Sequence, residues 1–460
     1  MMLVDQYHGL LQEGWRDAFE QERTLHRAME HAVAMPCCFG RRTISRAVCA
    51  LDRHHQDQDW SADYKIYSRG KWEQDDLFKP VFDVYLQENT EGPVCMIFDD
   101  TKLAKAGLKV PGGFWQRDPL SPPFHVNFLY GLRFIQASLL FPHYQRGEFD
   151  PRAIPVRFTE APTVKKPGKR ASEAERQAYR KAKRSHNLSV QTLQLMRNVR
   201  CALDLRGAFH RKMLCSLDGS FCNQTIFRAP VERTELLARC RKDARLCFPA
   251  DPGQRRKYRK ETFTPEQVRQ DANLAWREAT IWFGGRRRSV RYKEGREVLW
   301  RRGAGTRPLR LIVLAPQPYK LSLHSKTHYR DPAYMLSTDL VSPIEQLVQA
   351  SFDRWQIEVN HRDEKDILGV GDAQVRSPRS VPRQPAFTVA TYSMMLLAAL
   401  QAFGPGRTED YVELPKWRKH ARRPSILDII TLMRKEINET RVSGFVNIHL
   451  SENLLKYAYT

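Results

Sequence analysis

The sequence lacks several features that define common classes of protein. Its nine cysteines are scattered, and no C-x-x-C pair offers zinc-ligand spacing, so we expect free thiols in a reducing compartment. No G-x-x-x-x-G-K-[ST] loop occurs, which argues against nucleotide binding. Residues 1–20 show no basic stretch followed by an apolar run. We therefore expect no secretory signal and a cytoplasmic location.

Long apolar runs are also missing. The most apolar stretch, 386–403, contains Thr388, Thr391 and Ser393 and falls short of the roughly 20 apolar residues that a membrane span needs. We predict a buried helix there and no membrane partner. No period of roughly 20–50 residues recurs, so a repeat array is not expected.

Acidic residues are few compared with basic ones. The 460 residues carry 75 Lys and Arg against 52 Asp and Glu, a formal charge of +23. Such an excess indicates a polyanionic partner, with nucleic acid as the first candidate and an anionic membrane surface as the alternative. The length exceeds the roughly 250–300 residues at which a single core stops growing, so we expect two or three domains.

The chain changes character along its length, which predicts an α/β fold with helical flanks. In the β-rich part we expect four short strands, at 280–283, 289–292, 297–301 and 309–315. The predicted divisions are a helical N-terminal domain that is a candidate for binding DNA ends (1–90), a first part of the catalytic core (91–218), an Arg-rich β insertion (219–331), the remainder of the core (332–403) and a helical C-terminal region (404–460).

Two predicted strands end in acids. The apolar run 94–98 leads into Asp99 and Asp100, and the run 212–217 leads into Asp218. The stretches 128–141 and 153–158 are predicted to be neighbouring strands of the same sheet.

A well-marked helix begins near Ser342, where Glu345 completes a capping-box pattern. Its spacing predicts an apolar stripe that packs on the sheet, formed by Ile344, Val348, Phe352, Trp355 and Val359. Beside the stripe the helix presents Arg354, Glu358 and Lys365. The alternative for the two cations is an ion pair within the helix, with Glu358, Glu364 or Asp366.

Each acid alone is more typical of a turn or a surface, but their combination suggests chemistry. Two strand-end acids and one helix acid would gather oxygen ligands of the kind that Mg²⁺ or Mn²⁺ prefers. A pair of such ions serves in-line phosphoryl displacement. The basic segment 164–185, which opens a helix with the capping pair Ser172 and Glu175, is expected to lie on phosphates or to be a solvated helix face.

The stretch from Asp353 to Lys365 resembles a known signature, Tyr-x2-Arg-x3-Glu-x6-Lys, of insertion-sequence DDE transposases. Ser351 stands where that family has its tyrosine. The resemblance covers about 93–383 and implies a ribonuclease-H-like core split by a β-rich insertion before the last acid.

The resemblance implies that two Mg²⁺ or Mn²⁺ ions are held by Asp218, Glu358 and a first acid, which is either Asp99 or Asp100. It implies that Arg354 and Lys365 bind phosphates of transposon ends, and that the chain acts as a homodimer on double-stranded DNA. In some relatives a tryptophan of the insertion stacks on a flipped base, for which the candidates are Trp276, Trp282 and Trp300. The alternatives are a structure-selective nuclease with the same core and a catalytically dead DNA-binding descendant.

Overall fold

The computed structural model describes residues 2–439 except 39, 56–59, 119, 123, 142–149, 323 and 419–420. The predicted C-terminal region therefore extends beyond the described residues. The helices are α1 (Leu3–Gly14), α2 (Glu22–Cys37), α3 (Ile44–Ala50), α4 (Ser61–Ser68), α5 (Lys79–Glu88), α6 (Glu173–Ser185), α7 (Leu188–Asp204), α8 (Gln224–Arg228), α9 (Pro265–Gln270), α10 (Ile344–Asp353), α11 (Trp355–Arg362), α12 (Ser380–Phe403) and α13 (Ile426–Glu439).

The strands are β1 (Val94–Ala104), β2 (Phe114–Arg117), β3 (Phe128–Phe141), β4 (Arg152–Glu160), β5 (Met213–Leu217), β6 (Thr234–Arg239), β7 (Arg277–Trp282), β8 (Arg287–Leu299), β9 (Pro308–Leu314), β10 (Pro318–Tyr319), β11 (His328–Tyr329) and β12 (Ala333–Ser337). The strands predicted before Asp99 and Asp218 are β1 and β5, and the predicted neighbours at 128–141 and 153–158 are β3 and β4. The prediction that the first strand ends at Asp99 and Asp100 is wrong, because β1 stays paired with β3 as far as Ala104.

One ten-stranded mixed sheet organises the fold, which confirms the α/β class. Its order is β2-β3-β1-β5-β6-β12-β9-β8-β7, and β4 also pairs with β3. β3 is antiparallel to β1 and to β4, whereas β5 is parallel to β1 and to β6. Because β1 and β5 are parallel, the acids that follow their apolar runs lie toward the same edge of the sheet.

The predicted β insertion continues this sheet. β9 pairs with β12, and β8 and β7 extend the sheet outward. The two strands expected at 289–292 and 297–301 are one strand, β8, whose register shifts between Gly295 and Val298. Such a bulge bends a strand without ending it. β6, in the same sequence region, lies between β5 and β12.

Helices cover both faces of the sheet. On one face Met96 and Phe98 belong to a hydrophobic cluster that includes the N-terminal helices, α7 and α12. On the other face Ile97 packs with Leu347 and Val348 of α10. The N-terminal helices α1, α2 and α4 pack against α12, so they share its core.

Helix α12 is buried, as the sequence predicts. The expectation that this stretch falls short of a membrane span is wrong by length and composition, because the helix begins at Ser380 and runs for 24 residues. However, 78% of its most apolar window is buried inside the protein. Phe387 and Met394 are fully buried on it. This is the burial expected of a central core helix.

Candidate active site

The register of β1 and β5 determines which acids share a face. Ile97 lies beside Ser216 and Phe98 beside Leu217, so Asp99 and Asp218 are the next neighbours along the two strands. The Ser216 hydroxyl donates to the Ala350 carbonyl of α10 over 3.2 Å. Because side chains alternate along a strand, Asp99 and Asp218 face the α10 side with Ser216.

Helices α10 and α11 follow each other across that face. The chain tightens into a turn at Arg354, where the Ile357 N–H donates to the Arg354 carbonyl. Ile357 is buried after the turn, whereas Trp355 is 48% exposed. The predicted stripe is therefore wrong at Trp355, because the turn rotates the residues that follow it. After Arg362 the helix continues as a π-helical turn, Asp363–Ile367.

The start of α10 also differs from the prediction. Its N-terminus has no side-chain cap, because the Ser342 hydroxyl donates to Asp339 Oδ2 over 2.6 Å. The predicted capping box at Ser342 and Glu345 is therefore wrong.

Arg354 lies among three of the predicted acids. Its guanidinium donates a hydrogen bond to Glu358 Oε1 over 2.8 Å. Its nitrogens also lie 3.9 Å from Asp99 Oδ2 and 4.0 Å from Asp218 Oδ1. The structure therefore brings together one acid from β1, one that follows β5 and one from α11, with a single cation between them.

The pair between Arg354 and Glu358 is the ion pair within the helix that was the alternative reading of this arginine. The contacts with Asp99 and Asp218 go beyond that alternative, because both acids come from other elements. Within the described residues, no three His, Cys, Asp or Glu side chains converge closely enough to hold one metal ion. The carboxylates are arranged around the guanidinium.

Asp99 is the most perturbed of these carboxyls. Burial raises its pKa to about 6, although the charges of His361 and Arg354 and the N–H of Asp100 act to lower it. That N–H donates to Asp99 Oδ1 over 2.8 Å. Asp99 therefore lies in a setting that opposes its charge and that an additional cation would relieve.

Asp100 lies in a different setting. Its Oδ2 is 3.3 Å from Arg133 Nε, on the neighbouring strand β3. Burial raises its pKa, which the charges of Arg133, Lys102 and His361 lower and that of Asp218 raises further. Of the two candidates for the first acid, Asp99 contacts Arg354 and Asp100 contacts Arg133.

Lys365 lies in the π-helical turn. Burial lowers its pKa, and the charges of Glu364, Asp366, Asp100 and Asp99 oppose that shift. The amine is thus within electrostatic reach of both candidate first acids. A π-helical turn inserted into an α-helix is frequent at functional sites.

The donor set fits a hard divalent cation. Asp99, Asp218 and Glu358 supply carboxylate oxygens, the ligands that Mg²⁺ and Mn²⁺ prefer. Arg354 Nη1 is buried and has no hydrogen-bond partner among the described residues. The guanidinium thus balances the acids' charge while one of its donors, Nη1, is left without a hydrogen bond, and a bound metal ion would balance the same charge.

Sequence reasoning missed His361. Its Nδ1 lies 3.4 Å from Glu364 Oε2, and its buried Nε2 has no hydrogen-bond partner within the described residues. The charge of His361 lowers the pKa of Asp99. Its position three residues after Glu358, on the same helix, was the available signal.

A cavity of about 610 Å³ opens beside Arg354 and was also missed. Its polar and aromatic walls include Arg239, Arg330, Tyr319, Tyr329, Phe352 and Trp355. The three candidate tryptophans, for each of which a core or platform role was the alternative, do not line this cavity. Lys293 Nζ lies 4.9 Å from the centre of the Trp276 ring, Trp282 donates to Asp150, and Trp300 packs on Phe227. Trp355 is the tryptophan that lines the cavity.

Comparison with known proteins adds no further constraint. The chain matches no protein-family profile and no curated protein.

Proposed function

We propose that this chain is a DNA transposase of the insertion-sequence DDE type, which cleaves transposon ends and joins the freed 3′ hydroxyl to target DNA. The observation that carries the proposal is the grouping of Asp99, Asp218 and Glu358 around Arg354. Acids on the neighbouring strand β1, directly after β5 and on a packed helix, with a cation between them, suit a metal-dependent reaction on phosphates.

The sheet supports a ribonuclease-H-like core. The order β4-β3-β1-β5-β6 combines antiparallel pairing among β4, β3 and β1 with parallel pairing among β1, β5 and β6. This arrangement resembles the core of that fold, in which acids stand at the ends of the central strands.

Each site residue has a role in the proposal. Asp218, Glu358 and a first acid, Asp99 in preference to Asp100, hold two Mg²⁺ or Mn²⁺ ions. Such ions activate a water or a 3′ hydroxyl and stabilise the leaving oxygen. Arg354 binds a phosphate through its planar fork, and Lys365 contributes a point charge.

The DNA substrate is supported by charge and shape. The chain carries a formal charge of +23, and the cavity beside Arg354 combines cations with aromatic rings. Both features suit phosphates and bases. Two transposon ends must be joined to one target, so the proposed active form is a homodimer on DNA, in the cytoplasm at the nucleoid.

A strand-transfer assay tests the proposal. A precut duplex end with a free 3′ hydroxyl, taken from inverted repeats that flank the gene, is incubated with supercoiled plasmid and Mg²⁺. The proposal predicts joined products that vanish when EDTA replaces Mg²⁺. Cleavage without joining would favour a nuclease, and binding without either reaction would favour a catalytically dead DNA-binding protein.

A further inference from the structure

Helix α6 is largely exposed to solvent. All of its 13 residues are described, and none of them is buried. Most helices in proteins owe their stability to tertiary packing, and one of this length is marginal in water. Its N-terminus is held by a capping box between Ser172 and Glu175. Of its residues, Tyr179 and Ala182 are half-buried and the others are exposed, so most of its surface is open to a partner.

Most of the positive charge of this helix lies on one side. Both acids are engaged at its start, Glu175 by the backbone N–H of Ser172 over 2.7 Å and Glu173 by Arg180 over 3.3 Å. At about 100° per residue, four of the five cations lie within about 100° of one another, and three alanines lie opposite. The four cations are Arg176, Arg180, Lys183 and Arg184, and the alanines are Ala174, Ala178 and Ala182; the fifth cation, Lys181, lies beside Ala174.

Both ends of the segment that carries α6 are attached at the edge of the sheet that bears the acids. On β3, Phe134 pairs with Glu160, the last residue of β4, and also with Thr101 of β1. The segment thus leaves the sheet from β4, at the level of Thr101, with β3 between it and β1.

The segment returns to the same edge. Asn223, five residues after Asp218, donates through Nδ2 to Ser189 Oγ in the first turn of α7 over 2.8 Å. Gln191 Nε2, near the start of α7, donates to the Pro162 carbonyl over 3.2 Å. This hydrogen bond joins the two ends of the segment that carries α6. The segment that carries α6 therefore begins and ends at the edge of the sheet that bears the acids.

We infer that the cationic face of α6 binds the phosphate backbone of duplex DNA where the duplex continues past the active site. The inference rests on the proposed function for its account of why DNA lies there. A 13-residue helix is about 20 Å long, and duplex DNA carries one charge per roughly 1.7 Å. Flexible cations on an open surface contact phosphates without reading bases, so the contact is independent of sequence.

The test compares two triple variants of the full chain. The first is Arg176→Gln, Arg180→Gln and Lys183→Gln, which removes three of the four cations of this face while keeping good helix formers. The matched control is Ala174→Gln, Ala178→Gln and Ala182→Gln, which places the same side chain on the opposite face. Both variants are checked by circular dichroism, and their affinity for a 40-bp duplex of arbitrary sequence is measured from 50 to 300 mM KCl.

The inference predicts weaker binding for the first variant only. The slope of log K against log salt should fall by about 2 to 3, since each lost phosphate contact contributes about 0.9. An unchanged slope, or an equal loss in both variants, would overturn the inference. Tighter binding to phosphatidylserine vesicles than to DNA, weakened in the same way when the cations are removed, would overturn it as well.

The assay is separate from catalysis. Binding is measured in EDTA, where the metal-dependent reaction does not take place. If the unaltered chain fails in strand transfer, the proposed function is refuted, and the slope of log K against log salt is unaffected. Conversely, a chain that joins DNA ends while both variants bind like the parent would refute the role of α6 alone.

Discussion

The guanidinium of Arg354 is hydrogen-bonded to Glu358 Oε1 over 2.8 Å, one turn further along the helix. Its other contacts, with Asp99 and Asp218, mean that it stands where a metal ion would bring the same carboxylates together. In the proposed function this arginine binds a DNA phosphate. Metal binding and phosphate binding would then both require Arg354 to leave the acids.

Removing the guanidinium should therefore favour metal binding in the absence of DNA. Arg354→Gln is expected to bind Mn²⁺ about tenfold more tightly, a change of roughly 1.4 kcal/mol, because the competing cation is gone. Calorimetric titration or Mn²⁺ electron paramagnetic resonance measures this. Arg354→Lys, which keeps a cation, is the control and should remain close to the parent. Equal affinity in all three proteins would contradict the competition.

Substituting each of the two candidates for the first acid should change the cleavage rate by a different amount. Loss of even an outer-shell group typically costs roughly 10–100-fold, so Asp99→Asn is expected to lower the cleavage rate by more than about 100-fold. Asp100→Asn should retain most activity, because its carboxylate contacts Arg133. Single-turnover cleavage in Mg²⁺ measures both. The reverse order would make Asp100 the ligand.

Asp99 and Asp100 illustrate what the sequence can and cannot predict. The apolar runs before Asp99 and Asp218 predict two strands, which β1 and β5 confirm. The choice between adjacent acids depends on strand register, because side chains alternate between faces. Register is set by pairing between distant segments, such as Ile97 with Ser216, and so does not follow from local pattern.

Helix caps show the same limit. The sequence pattern at Ser172 and Glu175 predicts a capping box that the structure confirms. The same pattern at Ser342 fails, because Asp339 Oδ2 accepts from both the Ser342 hydroxyl and Lys212 Nζ of a distant segment. Trp355 was missed as a site residue because the cavity that it lines is completed by residues of the distant insertion, such as Tyr319 and Tyr329. His361 differs, because its position on the same helix three residues after Glu358 was a local signal.

Trp355 provides a test of the cavity. Stacking on a base is worth about 1–3 kcal/mol by alanine substitution, so Trp355→Ala should weaken binding of a duplex with an unpaired end by roughly 5- to 150-fold. Trp355→Phe should restore much of the affinity, because it keeps an aromatic face. Trp417→Ala, at a site 89% exposed, is the control. Fluorescence anisotropy measures each affinity, and equal values for parent and Trp355→Ala would exclude a stacking role.

Asp353, beside Arg354, predicts a dependence of stability on pH. Burial raises its pKa to about 7; the hydrogen bond from Gln349 lowers it, and the charge of Asp150 raises it. The carboxyl therefore stays protonated in the folded state at pH values where the unfolded chain ionises it. Stability is retained below pH 4 and is lost as the pH rises from about 4 toward 7.

Asp353→Asn removes this titration. The variant is expected to match the parent near pH 4 and to exceed it at pH 8 by on the order of 1–4 kcal/mol in the free energy of unfolding. Urea denaturation at pH 4, 6 and 8 measures the difference. Asp243→Asn, on an exposed turn, is the control. If the free energies of unfolding of the parent and Asp353→Asn differ by the same amount at every pH, the titration of Asp353 does not cause the pH dependence.

The most direct test of the account is DNA cleavage by Asp218→Asn and Glu358→Gln in Mg²⁺, with binding of the same DNA measured in parallel. Asp243→Asn and Glu345→Gln, which alter exposed acids by the same chemistry, are the matched controls. We predict that both site variants lose cleavage while they bind DNA nearly as well as the parent, and that both controls cleave normally. Unchanged cleavage in Asp218→Asn and Glu358→Gln would contradict the assignment of these carboxylates to the active site.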